Sequence, residues 1–237
     1  MHLLARAAMA AGFFVAAGGT ALAASKMFDV APFTEIEISS GINAVVTVGG
    51  TQSVIAESPR QEELDELIVE VSGGKLRAYT DWNLLDLFDW GLGDRRTTIT
   101  ISVPSLSAAD ANSGADIDLS GMAGDMIRLN ATSGADLTAR NMAATDYDLS
   151  VSSGADLTIE GTCESAKVDA SSGADLRADK LLCADVDANA SSGASADVYA
   201  SASVKANASS GASIDVYGKP ATVDDEASSG GDVNLRD

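Results

Sequence analysis

Four aspartates occupy the same position of a short repeated motif, and carboxylates in a row can bind metal ions. Each follows a Ser-Gly-Ala triplet, and the four are Asp116, Asp136, Asp156 and Asp175. Carboxylate oxygens are ligands that Ca²⁺ prefers, so the row is a candidate calcium site. The alternative is a solvated row of charges, because two carboxylates about 4.8 Å apart repel by only about 1 kcal/mol in water. Tight calcium sites surround the ion with converging ligands, which favours the solvated row and no cofactor.

The two cysteines are the next residues with reactive chemistry. Cys163 lies ten residues before Gly173, and Cys183 lies ten residues before Gly193. If each repeat forms one coil of a stack, the two lie one strand spacing apart, about 4.8 Å, which a disulfide tolerates. We therefore predict a disulfide bond between Cys163 and Cys183; the alternative is two buried thiols. Redox catalysis is not expected, because the chain has no Cys-x-x-Cys motif.

Residues 1–23 have the features of a secretory signal peptide. Arg6 supplies a positive charge, residues 7–17 are apolar, and Ala21-Leu22-Ala23 is typical of a cleavage site. We therefore expect an exported protein, periplasmic or at the cell surface, in a compartment where disulfides form. No later segment is long and apolar enough to predict a helix that spans a bilayer.

Cleavage after the signal peptide would leave the mature chain without histidine, because His2 is the only one. A Ser-His-Asp triad, a Cys-His pair and a His-ligated zinc or iron site are then excluded. Paired carboxylates can hydrolyse glycosides. However, close pairs such as Asp116 and Asp118 are expected from composition alone in a chain with 35 acidic residues. We therefore do not expect an enzyme, and a polysaccharide-active enzyme is the least favoured of three functional hypotheses.

The charge of the chain narrows the choice of partner further. The formal net charge is −20, which disfavours nucleic acid because phosphate neutralisation needs clustered Lys and Arg. A basic cleft for an acidic polysaccharide is not predicted either. Such a cleft would need basic residues at one common repeat position. Four bases of the repeat region fall at different positions, namely Arg128, Arg140, Arg177 and Lys180.

An internal repeat predicts the element that must position these residues. Seven segments share a Ser-Gly motif, with glycines at Gly114, Gly134, Gly154, Gly173, Gly193, Gly211 and Gly230. On both sides of each glycine, small aliphatic residues alternate with polar ones, which is typical of strands with one buried face. One such unit cannot bury its own inward face, but a stack of units can. We therefore predict an all-β fold in which residues 107–237 form a parallel β-solenoid with about one coil per 19–20 residues, and right-handed coiling is expected.

Residues 24–106 precede the repeats and are predicted to form an irregular β cap, or head region, on the solenoid. Ile36 to Val46 keeps the repeat pattern around Gly41, so it predicts a first coil. Residues 67–71 and 76–80 flank a Gly-Gly turn and predict a hairpin. Residues 97–103 alternate as a strand that ends at Pro104. Stacked repeats need such a cap at an open end.

Residues 82–92 hold both tryptophans and form the most apolar stretch of the predicted mature chain. They are either a lid over the first coil or an exposed contact site for a partner. The side chains that would make the contact are Trp82, Leu85, Phe88 and Trp90. The lid is the favoured interpretation.

The motifs together resemble a known bacterial family. Phe33-Thr34-Glu35-Ile36 leads to Ser40-Gly41-Ile42-Asn43, residues 100–106 read Thr-Ile-Ser-Val-Pro-Ser-Leu, and the serial Ser-Gly-Ala-Asp units follow. This pattern resembles the DUF2807 family, the "putative auto-transporter adhesin, head GIN domain". The resemblance implies a β-helix related to the pectin-lyase architecture without its catalytic residues, and a role in cell adhesion.

The leading functional hypothesis is therefore a non-enzymatic exported β-helix that recognises a protein or glycan at the cell envelope, as an adhesin. The alternative is a periplasmic structural or assembly component. The last predicted coil has no recognisable cap before Asp237, so its edge strand is a candidate for homo-association.

Overall fold

The computed structural model describes residues 24–80 and 97–236. Eighteen strands and one short helix are found in these residues, and all of the strands belong to one hydrogen-bonded sheet. The elements of the N-terminal region are β1 (Ala24–Phe28), β2 (Glu35–Ile38), β3 (Asn43–Val48), β4 (Ser53–Ser58), α1 (Gln61–Glu66), β5 (Leu67–Ser72), β6 (Lys75–Thr80) and β7 (Thr98–Val103). Those of the repeat region are β8 (Ala108–Asn112), β9 (Asp116–Ser120), β10 (Ala123–Thr132), β11 (Asp136–Ser152), β12 (Asp156–Thr162), β13 (Ser165–Ser171), β14 (Asp175–Ser191), β15 (Ser195–Ser209), β16 (Ser213–Tyr217), β17 (Thr222–Ser228) and β18 (Asp232–Leu235).

The repeats stack as a parallel β-solenoid, which confirms the predicted fold. Each strand pairs in parallel with the strand one repeat away, so that Leu137 lies beside Ile117 on one side and Leu157 on the other. The Ser-Gly corners lie directly over one another, and from Gly41 to Gly193 the amide of each corner glycine donates to the carbonyl oxygen of the corner serine of the next coil. Gly114 N lies 3.1 Å from Ser133 O, and the same contact recurs at the following corners.

Each corner is a tight turn with two residues in the left-handed region. At one corner Ser172 has φ 57° and Gly173 has φ 69°, and the amide of Ala174 donates to Ser171 O at 3.3 Å. Positive φ at both central positions is characteristic of a type I′ turn. Glycine adopts this conformation without steric cost, whereas serine does so at a cost. The motif therefore repeats because every coil turns in the same way.

A narrow core runs along the axis of the solenoid. The alternating inward positions are buried, as at Ile117, Leu119, Leu129 and Ala131, and the buried residues form one continuous cluster from Phe28 to Val216. Burying one Val, Leu or Ile side chain stabilises a fold by about 1.5–3 kcal/mol. Since many inward positions are alanine, no single coil buries enough apolar surface to be stable alone.

The N-terminal region is wound out of sequence order, which the repeat pattern did not predict. The coil formed by β2 and β3 lies between the coil of β6 and β7 and the coil of β8 and β9. Glu37 is paired with Arg77 on one side and with Asp110 on the other. Val45 is likewise paired with Thr100 and with Asp118. The coil around Gly41 is formed, but it lies between two other coils and is not the first of the stack as predicted. The hairpin of β5 and β6 and the strand before Pro104 are confirmed.

Antiparallel strands close the N-terminal end of the stack. β4 pairs with both β1 and β7, and α1 places the fully buried Leu64 against this layer. At the other end of the described residues, β17 pairs only with β15, and β18 only with β16. Every residue of β17 is exposed. The two ends of the solenoid therefore differ, one covered by antiparallel strands and the other presenting parallel edge strands.

Candidate functional site

The solenoid has two outward faces on which polar side chains form columns. Face A consists of the outward residues of the strands that follow each corner, such as β9, β12 and β16. Face B consists of the outward residues of the strands that precede each corner, such as β8, β13 and β17. Because successive strands are in register, residues at the same repeat position lie about one strand spacing apart along each face.

The aspartate column of face A is formed as the repeat predicted. Asp116, Asp136, Asp156 and Asp175 are successive register partners. Burial raises the pKa of the Asp136 carboxyl, and the charges of Asp116 and Asp156 raise it further. The column continues through Ser195 and Ser213 to Asp232.

Arg177, from the neighbouring column, neutralises part of this charge, since it donates to Asp156 across 3.1 Å. Outside the aspartate column, Arg140 pairs with Asp118. These ion pairs are about half exposed, so each contributes little to stability. The residues described by the structure contain no group of three or more Asp, Glu, Cys or His side chains placed to hold a metal ion. In the column, each carboxylate points outward from its own coil.

Cys163 and Cys183 are joined by a disulfide, with their Cα atoms 4.5 Å apart. The bond links neighbouring coils at the end of β12 and inside β14. A backbone hydrogen bond holds the two segments together beside it, since Cys163 N donates to Leu182 O across 3.1 Å. Cys183 is buried and Cys163 partly buried. The disulfide thus ties two adjacent coils and has no second thiol available for redox chemistry among the described residues.

Face B carries a column of strictly alternating charge, which we call the alternating column. Its members are register partners on successive coils and are Arg128, Asp148, Lys167, Asp187, Lys205 and Asp224. Opposite charges on adjacent strands stabilise a sheet by about 0.2–1 kcal/mol per pair. The column has no net charge, although the chain as a whole is strongly acidic.

A second column of face B offers amides, hydroxyls and carboxylates. Asn207 donates to Asn189 Oδ1 across 3.1 Å, and Asn189 donates to Asp169 Oδ1 across 3.3 Å. Next to it runs a column of serine and threonine, in which Ser152 donates to Thr132 across 3.2 Å. A shallow cavity of about 360 Å³ lies between these two columns. Face B therefore presents hydrogen-bond donors and acceptors at every coil.

A larger cavity, the axial groove, lies beside the alternating column. Its volume is about 420 Å³, and it runs along the solenoid axis across four coils. One wall consists of Ser165, Asp185, Ser203 and Thr222, the other of Lys167, Asp187, Lys205 and Asp224, and the buried Ala166, Val186 and Val204 lie between the walls. The side chains of these three buried residues point into the core, so the floor of the groove is backbone, and the outward side chains on either side enclose the space.

The sequence already contained the signal for the alternating column. Its residues all lie six positions before the corner glycine. Of the four bases compared above, Arg128 belongs to this column and Arg140, Arg177 and Lys180 lie on face A. Lys167 and Lys205, which share the position of Arg128, were not among those compared. The axial groove had no sequence signal, because a cavity depends on how far neighbouring side chains project.

Other groups fall outside these surfaces. Burial raises the pKa of Tyr147 to about 12, and its hydroxyl has no hydrogen-bond partner among the described residues, so it belongs to the core. The predicted contact residues Trp82, Leu85, Phe88 and Trp90 lie outside the described residues. So does the predicted signal peptide. None of the helices in residues 24–80 and 97–236 has the length and apolar character needed to cross a bilayer.

Comparison with known sequences identifies the family of this solenoid. The family model DUF2807, described as "Putative auto-transporter adhesin, head GIN domain", matches residues 32–220. The chain belongs to the DUF2807 family. The match spans both the out-of-order N-terminal coils and the repeats, so the two regions are parts of one family fold. No curated protein matches this DUF2807 chain.

Solved structures share the fold of this DUF2807 protein at low sequence identity. A putative adhesin from Bacteroides fragilis superposes with a TM-score of 0.77 at 15% identity, covering 90% of this chain and 97% of that one. A putative adhesin from Parabacteroides merdae has a TM-score of 0.67 at 13% identity, with coverage of 92% and 98%. A putative lipid binding protein from Parabacteroides distasonis has a TM-score of 0.67 at 15% identity, with coverage of 91% and 97%. At these identities the likeness concerns the fold alone.

Proposed function

We propose that this chain is an exported, non-enzymatic recognition protein of the adhesin type, which binds a protein or glycan at the cell envelope. The observation that carries the proposal is face B, where donors and acceptors stand in register on successive coils around two cavities. Such a surface can bind an extended partner at many points at once. The description of the family as an adhesin, and the description of two structural neighbours as adhesins, agree with this role.

The arrangement of polar groups supports recognition over catalysis. A catalytic site brings unlike groups together on one reacting atom, for example a nucleophile, a base and an oxyanion donor. In this solenoid the polar groups of a column stand one per coil along the axis, as in the alternating column. The function of a fold depends on such local geometry and not on the fold itself.

Export is supported by the predicted signal peptide at residues 1–23 and by the disulfide between Cys163 and Cys183. Disulfides persist in oxidising compartments. Cell fractionation combined with surface labelling of intact cells would assign the protein to the periplasm or the cell surface. Recovery in the cytoplasm with free thiols would contradict the proposal.

Binding of the labelled mature chain to intact cells and to isolated envelope fractions tests the recognition role. We expect saturable binding that a face B variant, Asn189→Ala with Asn207→Ala, weakens. The matched control on face A, Thr138→Ala with Thr158→Ala, should bind as the wild type does. Absence of saturable binding to every fraction would overturn the role, and equal weakening by both variants would remove it from face B.

Assembly of copies is a second candidate function, because β17 and β18 each pair on one side only within the described residues. Unpaired strand edges can pair with another chain. Three successive acids in β17, Asp224, Asp225 and Glu226, oppose this by charge repulsion. Light scattering over a range of concentrations separates the two: a growing mass supports assembly, and a constant monomer mass supports recognition alone.

A further inference from the structure

We propose that the axial groove binds a neutral, extended glycan laid along the solenoid axis. The assignment rests on the proposed recognition function and names the ligand class and the site. It follows from the dimensions of the groove, from the charged groups along it that make no hydrogen bond or salt bridge with another described residue, and from the spacing of the coils.

The dimensions of the groove suit a short stretch of a linear polymer. Its volume of about 420 Å³ falls in the range of small-ligand sites. It crosses the four coils that carry Ser165, Asp185, Ser203 and Thr222, which is about 14 Å at the strand spacing of a sheet. A chain lying in it would meet the same two walls at every coil.

Several groups on the charged wall are free to bind a ligand. Lys205, Asp187 and Asp224 make no hydrogen bond or salt bridge with any residue that the structure describes, although they stand in register. Lys167 differs, because its ammonium pairs with Asp169 across 2.6 Å. The wall therefore offers one ammonium and two carboxylates on three successive coils, and sugar hydroxyls can donate to the carboxylates and accept from the ammonium.

The opposite wall is partly satisfied within the protein. Ser203 donates to Asp185, and Ser165 donates to Asp146 across 2.5 Å. A carboxylate can accept several hydrogen bonds, so Asp185 keeps acceptor capacity toward the groove. Between the walls lies the backbone of the four strands, because the side chains of Ala166, Val186 and Val204 point into the core.

Charge and spacing select the polymer. The alternating column is neutral and Asp185 adds one negative charge to the groove, so a polyanion gains nothing there, and the acidic chain as a whole repels polyanions as well. An extended peptide advances about 3.3 Å per residue and would lose register with coils about 4.8 Å apart. An extended glycan repeats its hydroxyls once per sugar ring, at an interval close to one coil.

Isothermal titration of the mature chain with neutral linear oligosaccharides tests the assignment. The probes are cello-, manno- and chito-oligosaccharides of two to six units, with oligogalacturonate as the acidic comparison. We expect at least one neutral series to bind, with affinity rising up to three or four units and then constant, because the groove spans four coils. Binding of oligogalacturonate in preference to every neutral series would overturn the assignment.

Variants locate the binding. Asp187→Ala with Lys205→Ala should weaken binding of the best oligosaccharide at least tenfold, and Ser203→Tyr should do the same by filling the groove. The matched control on face A, Arg177→Ala with Asp197→Ala, should bind as the wild type does. Melting temperatures near that of the wild type show that each variant is folded. Unchanged binding in both groove variants would overturn the assignment.

The remaining outcomes separate the ligand class from the recognition role. A protein that binds envelope fractions but no neutral oligosaccharide retains the recognition role and loses the glycan assignment. If the protein binds neither envelope fractions nor neutral oligosaccharides, both the recognition role and the glycan assignment are overturned. The alternating column is also self-complementary about a two-fold axis, so a dimer that Asp187→Lys disrupts would make the groove an interface between copies and overturn glycan binding.

Discussion

The repeat region and the N-terminal region build the same sheet by different rules. In the repeat region each strand pairs with a strand about 20 residues away, as Leu137 does with Leu157. In the N-terminal region Glu35 pairs with Lys75, 40 residues on, and with Ala108, 73 residues on. A regular period can therefore specify local stacking, whereas the closure of the stack depends on contacts distant in sequence.

The cores of the two regions also differ in the size of the side chains that they bury. The repeat region buries many alanines, for example Ala188, Ala190, Ala206 and Ala208, whereas the N-terminal region buries Phe28, Phe33, Ile36, Leu64 and Ile101. Larger side chains bury more apolar area and contribute more per residue. We infer that the N-terminal region stabilises the end from which the alanine-rich coils continue.

Core substitutions should show this difference most strongly. Ile36→Ala removes a fully buried side chain between β6 and β8 and should lower the free energy of unfolding by about 2–5 kcal/mol. Val216→Ala near the other end should cost less and loosen only β16 and β18, because stacked coils contact their neighbours alone. Hydrogen exchange measures both effects, and equal loss of protection along the chain in the two variants would contradict the comparison.

Loss of the disulfide, which lies in the repeat region, should give the next largest decrease in the free energy of unfolding. Cys163→Ser with Cys183→Ser opens a loop of 20 residues and should cost about 3 kcal/mol by the chain-entropy model. Denaturant titration with and without reductant measures it. Reduced wild type should match the double variant, whereas a wild type unaffected by reductant would show that the bond contributes nothing.

The corner glycines should matter less than the disulfide. Gly173→Ala places a side chain at φ 69° and should cost about 1–2 kcal/mol. Gly124→Ala is the matched control: it lies in β10 without positive φ and with no atom within 4 Å of an added Cβ. The control should be neutral or slightly stabilising. Equal melting temperatures for the two variants would contradict the proposed reason for the Ser-Gly motif.

The aspartate column should give the smallest effect. The folded pKa of Asp136 is raised by burial and by Asp116 and Asp156, so its ionised form destabilises the fold. The stability associated with its protonated form is complete below the unfolded pKa and is lost as pH rises through the folded pKa. Asp136→Asn should therefore raise the melting temperature by about 1–3 °C at pH 7.

That gain should disappear on acidification, where Asp136 is protonated in both states of the wild type. Asp118→Asn is the control, because Asp118 pairs with Arg140 and its loss should not stabilise the fold. A gain that persists at low pH would show that the repulsion of neighbouring carboxylates is not its cause.

Much of the repeat region was predictable from the sequence, and the reason is physical. Alternation fixed which side chains point inward, the glycine period fixed the register, and the register placed Cys163 beside Cys183 and Asp136 beside Asp156. The insertion of β2 and β3 between later coils was not predictable, because their pattern fits any position in the stack. The axial groove depends on how far outward side chains such as Lys205 and Asp187 project from the sheet, which periodicity does not report.

Cross-linking of engineered cysteines tests the order of the coils most directly. In the structure Glu37 lies between Arg77 and Asp110. Glu37→Cys should therefore form a disulfide readily with either Arg77→Cys or Asp110→Cys. Arg77→Cys with Asp110→Cys, two coils apart, should not cross-link. Ready cross-linking of that last pair, with none between positions 37 and 110, would mean that the coils stack in sequence order and would contradict the described fold.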